Sequence, residues 1–124
     1  MITIELPFPD RVLSPNSRKH WTVKARAVAK AKEDAYWIAA SEYKVTSILK
    51  QCNTGELRCT WTFHPPKDKR RRWDDDNLVA AMKSARDGVC DALGIDDRHI
   101  KETVSRFGEV DRPDGRVVMT LEAL

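Results

Sequence analysis

The chain has 124 residues, 41% of them apolar, and a formal net charge of +3. That length suits a single domain over residues 1–124, the charge excludes an extreme polycation, and no stretch approaches the roughly 18 apolar residues of a membrane span. The cysteines, Cys52, Cys59 and Cys90, are odd in number and show no C-x-x-C spacing, which argues for free thiols in a reducing compartment over a disulfide framework or a zinc site. No basic region followed by an apolar run marks a signal peptide, so the expected location is the cytoplasm.

The first element is a strand over residues 2–8, where Ile2, Ile4 and Leu6 alternate with Thr3 and Glu5 and one face is buried. Pro7 and Pro9 end it. A loop leads into a helix expected from about Ser17 to Tyr43, with Asn16 or Ser17 as its N-cap. Its apolar face is read from Trp21, Ala25, Val28, Ala31, Ala35 and Ile38 at helical spacing. Arg18, Lys19 and Lys24, with Arg26, Lys30 and Lys32 further along, offer a second phosphate-contacting surface or an ordinary solvated face. His20, beside the helix start, could touch a phosphate but reads first as a cap or a core residue.

A second strand is expected at Leu57–His64, where Leu57, Cys59, Trp61 and Phe63 alternate with polar residues until Pro65 and Pro66 end it. Lys67, Lys69, Arg70, Arg71 and Arg72 then crowd into a short loop, the footprint of phosphate-backbone contact. They run into Trp73 and three consecutive aspartates, Asp74, Asp75 and Asp76. Two like charges about 4 Å apart cost roughly 4 kcal/mol at an effective dielectric near 20. A divalent cation turns that repulsion into coordination, and Mg²⁺ favours one or two carboxylates with phosphate and water. In an extended segment Asp74 and Asp76 share a face and Asp75 points away.

A second helix is expected from Asp76 or Asn77, with Leu78, Ala81, Met82, Ala85, Val89 and Leu93 buried and Gly94 as a left-handed C-terminal residue. Gly88 weakens its interior by roughly 1 kcal/mol relative to Ala, which close packing would explain. Lys83, nearly two turns after Asp76, should project from the same side, and Asp87 could pair with Lys83. A second acidic pair, Asp96 and Asp97, follows. The chain closes in an expected hairpin, near Lys101 to Val110 and Arg116 to Glu122, with Asp111 and Asp114 as turn residues. The order strand, helix, strand, helix, hairpin predicts an α+β fold, an α/β sandwich in which two helices cover a mixed or mainly antiparallel sheet.

Asp74, Asp76, Asn77, Leu78, Lys83, Asp87, Gly94, Asp96 and Asp97 form an ordered D-x-D-N-L … K-x-x-x-D … G … D-D set that resembles the RusA family of Holliday junction resolvases. The segment LSPNSRKHW, the basic helix after it and the closing strands match that family in order and length. The resemblance implies a small homodimeric endonuclease that cuts four-way DNA junctions symmetrically. It implies Mg²⁺, with Mn²⁺ as an alternative, held by Asp74, Asp76, Asp97 and Asp96, with Asp74, Asp76 and Asp97 as the essential carboxylates and Lys83 as the catalytic lysine. In better-known members the lysine stands one turn after the D-N pair; here Ala80 holds that place and Lys83 comes one turn later. A non-catalytic module that binds branched nucleic acid is the alternative.

Overall fold

The computed structural model describes residues 1–15, 17–42, 55–66 and 75–124, with Asp75 as backbone only. Strand β1 spans Ile2–Pro7 and β2 spans Leu57–His64; both bury alternate residues, as their periodicity predicts. Strand β3 is Ile100–Phe107 and β4 is Arg116–Ala123. They join in one sheet of order β1-β4-β2-β3, with β4 antiparallel to β1 and β2, and β2 parallel to β3. Helices and a mixed sheet make this an α+β fold, as expected.

The closing hairpin does not form. β2 lies between β3 and β4, because alternation sets which face of a strand is buried but not which strand it pairs with. The connection passes over the end of β2 instead. The Gly108 amide donates to the Phe63 carbonyl at 2.9 Å and the Asp111 amide to that of Pro65 at 3.0 Å. Asp111 is held by Arg116 at 3.1 Å, and Gly115 takes φ 74° in the turn.

Helix α1 is Trp21–Glu42, starting four residues later than expected; the end at Tyr43 and the cap at Asn16 fall outside the described residues. His20 caps it, its Nδ1 accepting the Thr22 amide at 3.3 Å. The expected apolar face is only half right. Ala35 and Ala39 are buried, but Trp21 is 71% and Val28 45% exposed. The first turns of α1 run past the core, and only its second half docks on the next helices. Among the described residues no helix is long and apolar enough to cross a membrane.

The second helix is two helices. α2 spans Asp75–Ala81 and α3 spans Lys83–Leu93. Met82 between them takes φ −88° and ψ 1°, about 40° from helical ψ. The bond from the Met82 amide to the Leu78 carbonyl, at 3.2 Å, survives, so the axis bends without reversing. Gly94 ends α3 at φ 68°, and the Ile95 amide returns to the Cys90 carbonyl at 2.9 Å, the expected glycine-capped terminus. The core joins Ile2, Ile4, Leu6, Trp61, Phe63 and Met119 of the sheet to Leu78, Met82, Val89 and Leu93 of the helices. Cys59 and Cys90 are free and buried, and burial pushes both thiols up to about 12; Cys52 lies outside the described residues.

Candidate functional site: an acidic cleft at the end of the second helix pair

The capped end of α3 delivers Asp96 and Asp97 into a short 3₁₀ turn, Asp97–His99. The two carboxylates part there. Asp96 accepts from the Arg98 amide at 2.9 Å and from its guanidinium at 2.9 and 2.7 Å. The guanidinium bond first, then the amide, holds its pKa down to about 2. Asp97 is exposed, and its carboxylate makes no hydrogen bond or ion pair among the described residues. Asp96 therefore shapes the turn, and the Asp97 carboxylate is left open. Both open onto a cleft of about 490 Å³ shared with Asp87, Asp91, Gly94 and Lys32. Lys32 reaches Asp91 at 3.4 Å, so the cleft holds more negative charge than its lysine offsets.

The Asp96–Arg98 pair predicts a titration. Below its ordinary value of 3.8 and down to about 2, folded Asp96 stays ionised where the unfolded chain takes up a proton. The stabilisation it contributes is thus complete above pH 3.8 and lost as pH falls through about 2. In Arg98→Ala the Asp96 midpoint, followed by carboxyl-carbon NMR, moves up toward 3.8; an unmoved midpoint would show that Arg98 is not the cause.

The other predicted residues lie elsewhere. Asp76 is exposed in the first turn of α2, and the helix already begins at Asp75. The alternation expected for an extended Asp74–Asp76 segment therefore does not extend to residues 75 and 76, and Asp74 lies outside the described residues. Lys83 is the first residue of α3, beyond the break at Met82, so the two-turn relation to Asp76 is interrupted. Among the described residues Lys83 and Asp87 form no ion pair with each other. Arg18 and Lys19 are exposed and Lys24 half-buried around the start of α1. No hydrogen bond or ion pair among the described residues joins them to the cleft. Lys67, Lys69, Arg70, Arg71 and Arg72 lie outside the described residues. Sequence reasoning does not set Lys32 at the cleft or Arg86 beside it apart as site residues; in sequence they are two more basic residues on helices.

Asp76 and Asp97 lie on either side of α3 in the chain. The α2–α3 junction, through Ala81, Met82 and Ala85, shares a groove with Leu6 to Asp10, where β1 ends. Asp97 sits at the opposite end of the sheet, before Ile100, which is paired with Leu57; there His99 lies 3.3 Å from the Gly55 carbonyl. Helix α3, with 11 residues, accounts for about 16 Å of that path. Among the described residues no three carboxylates, imidazoles or thiols converge closely enough to hold a metal ion.

No family model matches the chain. An uncharacterized protein of Xylella fastidiosa is 39% identical over 124 residues, the whole of this chain and 78% of that protein.

Proposed function

The chain belongs to one family with the Xylella fastidiosa protein, and we propose for it the activity of a Mg²⁺-dependent, structure-selective DNA endonuclease. It acts as a homodimer and resolves four-way junctions by paired nicks, a step of recombination and repair. The observation that carries this is the splitting of the Asp96–Asp97 pair: Asp96 is consumed by Arg98, while the Asp97 carboxylate has no partner among the described residues and faces an acidic cleft. The ordered RusA-like set in the sequence and the dense basic run before Asp74 support it.

Among the described residues no three ligands converge on a metal ion, and Asp74 lies outside them. Asp76 precedes α3 and Asp97 follows it, and in the proposed dimer a second copy brings its Asp76 end to the Asp97 cleft. A two-fold dimer forms two such sites at once, as many as a symmetric pair of cuts needs. Bound there, the ion supplies charge neutralisation at the phosphate and a water of lowered pKa. The protein's own task is to place the strand. Asp96 holds the turn that presents Asp97, and Lys83 offers a cation for charge developing at the phosphate.

The test is cleavage of a labelled four-way junction with and without Mg²⁺, beside linear duplex, flap and RNA substrates. Paired cuts in the junction alone are expected. Metal-independent binding with no cutting would favour the non-catalytic module.

The basic run gives a further prediction. Neutralising Arg70, Arg71 and Arg72 together should weaken junction binding and flatten its salt dependence by about 0.9 in slope for each phosphate no longer neutralised. An unchanged slope in a salt titration would place the DNA surface elsewhere.

A further inference from the structure

We propose that Arg86 is a phosphate-binding residue that holds the DNA strand running to Asp97; this rests on the nuclease reading above. Arg86 lies on α3, one turn after Lys83 and one turn before Cys90, so the three follow one line along the helix. Its charge acts on Cys90 and on Cys59 of β2, so the side chain lies near both. Asp97 is felt at the same Cys90 thiol.

The state of this side chain is unusual for the molecule. Its Nε is buried and has no hydrogen-bond partner among the described residues. Other arginines are engaged: Arg58 by Glu102 and Glu122, Arg98 by Asp96, Arg106 by the Thr62 hydroxyl. The Arg116 Nε also lacks a well-aligned bond, yet it has the Asp111 carboxylate at 3.1 Å. No carboxylate forms an ion pair with Arg86 among the described residues. A buried Nε without a partner works against folding, so its retention points to a ligand.

The surroundings are open on one side. Thr103 of β3 pairs with Cys59 and Ser105 with Trp61, so they point to the side that the helices cover over β2. Cys59 and Trp61 are sealed there, while Thr103 is exposed and Ser105 half-buried. Although α2 contacts β3, this flank of β3 keeps accessible hydroxyls at Thr103 and Ser105. A phosphate suits this setting, since the guanidinium fork matches its oxygens in pairs and hydroxyls add donors. Asp97 at the end of the same flank places that phosphate on the strand approaching the acidic cleft.

The experiment uses full-length Arg86→Met and Arg86→Lys. Junction affinity is measured against salt in Ca²⁺, cutting in Mg²⁺, with melting temperature and light scattering alongside. Arg86→Met should melt at the same temperature or higher, keep its oligomeric state, bind about tenfold more weakly and show a salt slope shallower by about 0.9. Arg86→Lys should keep the slope, because the charge remains, and regain only part of the affinity, because the fork is gone. Wild-type affinity and slope in Arg86→Met would overturn the proposal while the nuclease reading stands. A lowered melting temperature or a lost oligomer in both variants would also overturn it, assigning Arg86 to the fold or to a second copy. A wild-type protein that binds no junction overturns the nuclease reading and this one together.

Discussion

Mixing Asp76→Asn with Asp97→Asn chains should restore junction cutting that neither variant shows alone. Each substitution removes an anionic oxygen that a divalent ion needs. The expected loss for either homodimer is about a thousandfold or more, the scale of several kcal/mol of transition-state stabilisation. Asparagine keeps the volume of aspartate, and both sites are exposed, so folding should hold. Asp76 lies before α3 and Asp97 after it. If each site takes Asp76 from one protomer and Asp97 from the other, a mixed dimer has one site carrying both substitutions and one carrying neither. Random refolding yields mixed dimers in about half of all pairs, so about a quarter of the sites are intact. The product also changes: one live site per dimer leaves nicked junctions in place of resolved duplexes. If both carboxylates served the site of their own chain, every protomer in the mixture would be dead. No recovery of nicking, with mixed dimers confirmed by differential tagging, would sink the shared site.

What the sequence disclosed follows the kind of signal each feature carries. β1 and β2 were legible because period-two alternation is a direct image of one buried face, and Gly94 because a left-handed helix end favours glycine. Strand pairing was not legible: β3 and β4 alternate regardless of what lies between them. The break at Met82 has no proline or glycine to announce it and arises where α2 turns toward β3 and α3 toward α1. The buried stripe of α1 was misplaced because a helix rich in alanine contrasts weakly around its circumference. At the site, Asp96 and Asp97 are equal as letters. Only the return of Arg98 onto Asp96 separates the residue that holds the turn from the one that remains open. If the ordered aspartates act together, as proposed, their order does not say whether they do so within one chain.

Gly88→Ala should lower the melting temperature by roughly 6–12 °C, a loss of about 2–3 kcal/mol. Exposed glycine in a helix interior would give the opposite sign, since alanine gains about 1 kcal/mol in propensity. Gly88 is buried against α1. A Cβ built there would lie 2.1 Å from the Lys32 carbonyl oxygen, 3.0 Å from its carbonyl carbon and 3.1 Å from the Tyr36 amide nitrogen. These are backbone atoms of a regular helix, so no side chain can swing aside. Relief requires α1 to lift from α3, loosening the packing of Ala35 and Ala39. The lift carries a functional consequence, because Lys32 stands at this crossing and also reaches Asp91 in the acidic cleft. Gly88→Ala should therefore weaken the Lys32–Asp91 pair and change cutting beyond what the lower stability explains. Gly88→Ser should behave similarly, since its Cβ meets the same oxygen. A melting temperature equal to or above wild type in Gly88→Ala would show that the helices cross with more room than this, and the tie between their packing and the cleft would fall with it.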